Sequence, residues 1–510
     1  MRRLLTTIAV LTVFAAMAPA LSLAGSPRTT FGIADDGAKY AGDGGSSFFS
    51  VLRDVGFDTN RISVTWDPTD GSHGLTIRER GFLDSVIPIA AVRGVEVVLD
   101  VYPLRAKAFA VDTQARIDRF AQYLQVLARA YPTVKKFIVG NEPNQPRFNQ
   151  PQFARKGRGG YRATAGALYE RVLAAGYDAL KEVDPKITVV GLGLSPRGND
   201  DPRAKNNISR SPVRFLRDFA LAYRASGRGR PLMDEFGFHP YPNSNSDPLA
   251  RGYSWPNAGI PNLDRIKQAI WDGFHDTAQP VFAEPAGSDP LPELGGSLGL
   301  ELDEYGRQVR VTSSKASLYK GRENVRTISE ARQASMYAAI VRQVACDPNV
   351  KGFFFFHLID ELDLDRFQSG LLRADGSKRP SYAAVKGALE ATHGQCTGSI
   401  RLWRHATTVI GADVTFAAEG LTVAAAEDVT VTAGIFPAVL STARIVDALS
   451  GRRTTGVSPN TLVRAYHSRA LPLSLRGLPR GSYVQAAILR AAMNPERTFL
   501  AVGDPISHSP

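Results

Sequence analysis

Short apolar runs alternate with amphipathic stretches from Thr30 to about Gln395. The runs are Phe31–Ala34, Arg61–Trp66, Val95–Tyr102, Phe137–Gly140, Ile187–Leu192, Met233–Phe238, a seventh ending at Glu304, and Gly352–Leu358. Most are near-continuous rather than strictly alternating, as expected for strands buried on both faces. Between them, Ile117, Phe120, Ala121, Leu124, Leu127 and Ala128 follow the i, i+3, i+4, i+7 spacing of a helix with one buried face. Met336, Tyr337, Ile340, Val341 and Val344 do the same before the eighth run. Eight strands alternating with helices over about 365 residues predict an α/β fold, a (β/α)8 TIM barrel enlarged by insertions. The alternative is a doubly wound open sheet, which would carry a Gly-rich phosphate turn after its first strand. Asp35-Asp36-Gly37-Ala38 is not that turn.

The texture changes after Cys396. Val414–Ala418, Leu421–Val423, Val429–Val431 and Tyr483–Leu489 are short strand-like runs separated by turn signals such as Glu419-Gly420 and Arg480-Gly481-Ser482. They predict a small all-β, sandwich-like C-terminal domain over 397–510. At the other end, Arg2 and Arg3 precede an apolar stretch from Leu4 to Ala18. The small residues Ala18-Pro19-Ala20 and Ser22-Leu23-Ala24 follow. This predicts a signal peptide over 1–24 and a secreted chain, because the apolar stretch is shorter than the ~20 residues a membrane span needs. The barrel is then expected over 25–396. In an oxidising compartment the two cysteines, Cys346 and Cys396, are expected to form a disulfide.

Composition narrows the classes. The chain has 510 residues, of which 44% are hydrophobic and 22% charged, an ordinary globular balance. Its net charge is +12, but the arginines are spread along the chain with no basic stripe, so no nucleic-acid partner is expected. A diffuse positive field favours anionic surfaces such as a cell wall or acidic polysaccharide, and an Arg-biased composition without a partner is the plainer reading. The eight histidines show no zinc spacing. The crowd Asp360, Glu361, Asp363 and Asp365 lacks the Gly turn of a calcium loop and reads as a solvated acidic rim. No metal, no cofactor, no membrane span and a monomer are expected.

The chemistry sits at two strand ends. Phe137–Gly140 stops in Asn141-Glu142-Pro143, and the seventh run stops in Asp303-Glu304-Tyr305-Gly306. In a barrel of this kind the C-terminal strand ends and their loops carry the reacting groups. Two carboxylates across such a mouth suit glycosidic bond cleavage, in which one gives a proton and the other attacks the sugar or activates water. Two rivals to Glu304 have similar surroundings: Glu235 in Asp234-Glu235-Phe236-Gly237, and Glu284 in Val281-Phe282-Ala283-Glu284-Pro285. Glu235 is followed by more apolar chain, which makes His239 or Tyr241 the end of that strand. Trp66, Trp255 and Tyr253 are candidate sugar platforms, with burial in the core the commoner fate of such rings.

These residues resemble the clan A retaining glycoside hydrolases, a group that includes families 5, 39 and 42. The likeness covers residues 30–395 in architecture and is motif-specific near a few strand ends. It implies Glu142 as acid/base, Glu304 as nucleophile, and Asn141 as a partner for the substrate 2-hydroxyl. Arg61, His239 and Tyr241 match polar positions of the clan, and Arg61 is placed to hold Glu304 ionised. The clan often has Trp at the end of strand eight, where this chain has His357. The expected substrate is a β-linked oligo- or polysaccharide. A non-catalytic carbohydrate-binding barrel is the alternative, and a lyase or transglycosylase would differ in product.

Overall fold

The computed structural model describes residues 28–71, 73–157, 160–254, 256–285, 294–405, 412–425, 428–440, 442–450, 457–464, 467–491 and 498–509. The expected signal peptide and Trp255 lie outside the described residues.

Eight parallel strands close into a barrel: β1 (Thr30–Ala34), β2 (Thr59–Trp66), β3 (Glu96–Pro103), β4 (Lys136–Val139), β5 (Thr188–Leu194), β6 (Glu235–Phe238), β7 (Gly299–Tyr305) and β8 (Val350–Phe355). Each pairs with its sequence neighbours, and β8 closes on β1 through Thr30↔Gly352 and Phe31↔Phe353. A helix follows every strand, from Ser46–Val55 after β1 to Pro380–Thr392 after β8. The predicted period is visible in Thr113–Ala130, whose Ile117, Phe120, Leu124 and Leu127 face inward and are buried. Trp66 belongs to this outer core. It stacks on Phe109 with ring centroids 5.6 Å apart and donates Nε1–H to the Gly74 carbonyl at 2.8 Å.

The strands' outer faces pack on the helices, and their inner faces fill the barrel in layers. The middle layer is apolar, made of Ala34, Val98, Ile138, Val190 and Phe354. Below it, at the strands' N-terminal ends, Lys136 of β4 meets Glu235 (2.9 Å) and Glu301 (3.2 Å). Above it, at the C-terminal ends, lie Arg61, Asp100 and Asp303. A near-continuous apolar run therefore hid an alternation: apolar outward throughout, polar inward at both ends.

Two irregularities shape the upper rim. In β7, Leu302 pairs with Phe353 and Tyr305 with Phe355, so one extra residue is accommodated between them. Such a bulge re-aims side chains, and it lets the adjacent Asp303 and Glu304 both reach the mouth. In β5, Gly191 pairs with Phe236 but Leu194 with Phe238. The extra length is taken up at Leu192 and Gly193, which have φ of 82° and 52°.

Beyond the barrel, strands β9 (Ala412–Ala417), β10 (Gly420–Ala425) and β13 (Ser468–Pro472) form one antiparallel sheet. A second contains β11 (Val429–Pro437), β12 (Val457–Val463), β14 (Gly481–Ala491), β15 (Thr498–Val502) and β16 (Ile506–His508). Val414, Leu421 and Val423 of the first sheet share a core with Val429, Val431 and Leu489 of the second. A helix, Thr442–Ser450, that the strand-like texture did not foretell joins this region. Cys346 and Cys396 are joined in a disulfide that closes a loop of 50 residues.

Candidate active site

The upper rim opens into a cleft of about 1350 Å³. Glu142, Glu304, Asn141, Arg61, Tyr241 and His357 all line it, and His239 lies just beneath. The seven residues expected to form the catalytic and binding site therefore meet at one end of the barrel.

Arg61 is the hub. It projects from β2, is 4% exposed, and spreads its guanidinium over three strands. Nη1 donates to Glu304 Oε1 at 2.7 Å, and Nη2 donates to Asp100 Oδ2 at 2.7 Å and Asn141 Oδ1 at 2.9 Å. Nε lies 3.9 Å from Asp303 Oδ2. Holding the Asn141 oxygen in this way leaves its Nδ2 donor for the cleft.

His239 is the second hub. It follows β6, is fully buried, and sits between three carboxylates. Nε2 lies 3.2 Å from Asp303 Oδ2, and Nδ1 lies 3.1 Å from Glu142 Oε1 and 3.5 Å from Glu304 Oε2. Tyr241 completes the set by donating its hydroxyl to Glu304 Oε2 at 2.9 Å.

Burial opposes every charge here, and neighbouring charges decide the outcome. Burial would raise the Glu304 carboxyl, but His239 and Arg61 outweigh it and hold the group below the usual carboxylate range. Asp303 is lowered in the same way, burial being overcome by His239 and Arg61. Burial disfavours the His239 cation, yet Glu304 and Asp303 together raise it well above an ordinary imidazole. Asp100 has weaker support, and burial pushes it up to about 7 despite Arg61. Near neutral pH the site therefore holds two cations and an ionised Glu304.

The backbone that aims Glu142 is unusual. Gly140 has φ of 101° and Glu142 has φ of 41°. A left-handed conformation is uncommon for a non-Gly residue and persists only where its surroundings enforce it. Here the Glu142 amide donates to the Gly193 carbonyl at 3.0 Å, and the Gly140 amide donates to Val101 at 3.0 Å. Any side chain at 140 would run into the Tyr169 hydroxyl, which lies 1.8 Å from the position of a Cβ. Asn144 locks the loop to the end of β5, donating to the Ser195 carbonyl (3.1 Å) and accepting from the Ser195 amide (3.0 Å).

The rivals lie elsewhere. Glu235 begins β6 at the opposite pole and is bound to Lys136, because its strand runs on for three more residues before the rim. Glu284 lies outside the barrel sheet, accepting from the His405 amide at 3.1 Å and lying 2.6 Å from His405 Nδ1. Of the acidic crowd after β8, Glu361, Asp363 and Asp365 reach solvent as expected, and Asp360 does not. Asp360 is buried and held by both terminal nitrogens of Arg379 at 2.6 Å, because Arg379 folds back ahead of the last helix.

Two buried acids were missed. Asp100 had a signal, being a lone charge inside the apolar run Val97–Val101. Asp303 was masked by its neighbour Glu304, since only the bulge lets both point into the mouth. His357 is buried, its ring 3.5 Å from that of Phe356 between centroids, and its Nδ1 has no hydrogen-bond partner among the described residues. The aromatic surface of the cleft includes Phe356, Phe367 and Tyr241, with Phe356 and Phe367 5.0 Å apart, and the platform candidate Tyr253, whose hydroxyl donates to the Tyr241 carbonyl at 3.0 Å.

No family model and no curated protein matches the chain. Among solved structures, GH5_18 from Streptomyces cattleya in complex with GlcNAc aligns at a TM-score of 0.42 with 15% identity, over 76% of this chain and 84% of that one. The exo-β-1,4-mannosidase of Opitutaceae bacterium strain TAV5 aligns at 0.43 with 14% identity, over 72% and 60%. The Bacteroides uniformis β-glucuronidase aligns at 0.42 with 12% identity over 94% of this chain, which spans only 46% of that enzyme. Likenesses this loose carry no function across, and the chemistry has to be read from the side chains themselves.

Proposed function

We propose that this chain is a retaining glycoside hydrolase of the clan A type, acting on a β-linked glycan, with Glu304 as nucleophile and Glu142 as acid/base. One observation carries the reading: His239 Nδ1 lies 3.1 Å from Glu142 and 3.5 Å from Glu304. The two oxygens are therefore at most about 6.6 Å apart. Retaining enzymes need roughly 5–5.5 Å between the carboxyl groups, and inverting ones roughly 6.5–9.5 Å to admit a water. The bound sits at the lower edge of the second range, with the first inside it.

The charges suit the chemistry. Glu304 is ionised and positioned by Arg61 and Tyr241. Its oxygen attacks the anomeric carbon while the bond to the leaving oxygen breaks and Glu142 gives that oxygen its proton. Glu142 then takes a proton from water, which attacks the same carbon and releases Glu304. Asn141 Nδ2 is placed for a sugar hydroxyl, and Phe356 and Phe367 offer apolar faces for the ring. Export also belongs to this proposal, supported by the N-terminal pattern and the Cys346–Cys396 disulfide.

The test is a screen of aryl β-glycosides and polysaccharides, followed by Glu142→Gln and Glu304→Gln on an active substrate. Loss of each carboxylate is expected to lower kcat by about 10²-fold or more. A fluorinated glycoside should add one sugar mass to Glu304 in the intact protein. Hydrolysis unchanged in both variants sinks the reading.

A further inference from the structure

We propose that the cleft wall built on β4, β5, β6 and β7 binds an anionic group, carboxylate or sulfate, carried on the leaving-group portion of the glycan. The inference rests on the hydrolase reading of Glu142 and Glu304. Arg147, Arg197 and Arg326 line the cleft and are exposed. Among the described residues, none of the three is paired with a carboxylate. Arg147 lies over the Phe148 ring at 5.8 Å, and Arg197 Nη1 donates only to Asn243 Oδ1 at 3.3 Å.

These arginines form one surface. Gln145 Nε2 donates to the Arg197 carbonyl at 2.5 Å, tying the loop of Arg147 to that of Arg197. Asn243 ties Arg197 to the next loop, and Asn245 Nδ2 donates to the Arg326 carbonyl at 3.1 Å.

The opposite wall is acidic, and most of its carboxylates are held by cations or backbone amides. Asp360 is bound by Arg379, and Glu361 accepts from the Phe367 amide at 3.0 Å with Arg366 at 3.4 Å. Asp36 accepts from the Ser63 amide at 2.8 Å with Lys39 at 3.4 Å, and Asp35 accepts backbone amides of Gly37 and Leu358 at 2.7 and 2.9 Å. The Asp365 carboxylate alone has no hydrogen-bond or ion-pair partner among the described residues. Three arginines with no carboxylate partner thus face two carboxylates, Asp35 and Asp365, with no salt bridge among the described residues.

Position decides which part of the substrate they meet. Glu142 belongs to the same wall: it precedes Arg147 on one loop and hydrogen-bonds Gly193, just ahead of Arg197. A proton donor faces the departing oxygen, so its flank meets the departing portion. Guanidinium groups suit carboxylate and sulfate through paired N–H donors, and exposed charges of this kind act with strong dependence on salt.

The experiment uses the full chain carrying Glu304→Gln, so that nothing is consumed. Affinity electrophoresis compares uncharged β-glucan and β-mannan with their carboxymethylated and sulfated derivatives. Binding to charged members is expected to be about tenfold tighter at low salt and to fall as salt exceeds ~0.15 M. Carboxymethylated against sulfated probes show which anion is read. Replacing Arg147, Arg197 and Arg326 together by Gln should abolish the preference at an unchanged unfolding midpoint. The equal charge change at exposed Arg129, Arg469 and Arg476, away from the cleft, should preserve it.

Equal binding of charged and uncharged polymers overturns the inference. So does a preference that survives the first triple variant, or one lost equally in the second. Charge-selective binding with no cleavage by the wild-type chain sinks the hydrolase reading and the leaving-group placement, and leaves the anion-binding wall standing. Cleavage that ignores charge does the reverse.

Discussion

The two ends of this barrel hold similar charges and differ in everything else. At the N-terminal end Lys136 lies among Glu235 and Glu301. At the C-terminal end Arg61 lies among Asp100, Asp303 and Glu304. The apolar layer of Val98, Ile138, Val190 and Phe354 separates them. Glycine makes room below: a Cβ at Gly352 would lie 2.3 Å from Glu301 Oε2. The upper cluster has a second cation, His239, and faces the cleft. Burial pushes Glu301 up to about 8, with Lys136 the main charge opposing it, whereas Glu304 is held low. A buried ion cluster is thus not a site in itself. It becomes one where strand ends, loops and a second cation keep a carboxylate ionised beside open space, as the C-terminal face of such barrels provides.

The sharpest way to break this comparison is to neutralise one carboxylate at each end. Glu304→Gln is expected to lower kcat by about 10³-fold, whereas Glu301→Gln, with the barrel intact, should leave kcat/KM within about twofold. Equal losses would mean that the lower cluster takes part in the chemistry. Next in size, replacing Cys346 and Cys396 by Ala opens the 50-residue loop beside the lower end of β8. It should cost about 2–4 kcal/mol in urea unfolding, without a change in kcat. Lys136→Ala takes the shared hydrogen-bond donor from Glu235 and the buried Glu301 and should cost about 1–3 kcal/mol in urea unfolding, with kcat retained in the folded fraction.

The smallest effects are pH slopes, bounded at about 1.4 kcal/mol per unit for each group. Where the folded chain keeps a proton that the unfolded chain has lost, stability falls as pH rises. Glu301 does so between an unfolded value near ~4.3 and its folded value of about 8. Glu301→Gln should flatten the decline of Tm over that window. His239, raised when folded, contributes stability that is complete below ~6.5 and is lost as pH climbs through its folded value. His239→Gln should flatten the slope only above ~6.5. Two variants with the same profile would erase the distinction between the ends.

Much of this was legible along the chain. Eight apolar runs became eight strands because hydrophobic periodicity reports burial directly, and their order forced a parallel barrel. Asn141-Glu142 and Glu304 were visible because apolar runs ended on them, and His239 and Tyr241 because Phe236–Phe238 stopped just before. Glu235 competed with Glu304 because Asp-Glu-aromatic-Gly occurs twice and local sequence does not say which pole of a strand a residue occupies. Asp303 stayed hidden because a bulge depends on the register with β8, and Asp360 because its partner, Arg379, lies on a different element.

The sequence by itself determined the barrel, the all-β region after it and the two carboxylates, since each follows from the local pattern of burial and its interruption. Only the tertiary structure decided that Arg61 and His239 knit those carboxylates into one cluster, and that the pair lie within about 6.6 Å. It alone placed Arg147, Arg197 and Arg326 on one wall. Distances across a barrel mouth are set by strand closure and register, which no stretch of neighbouring residues encodes.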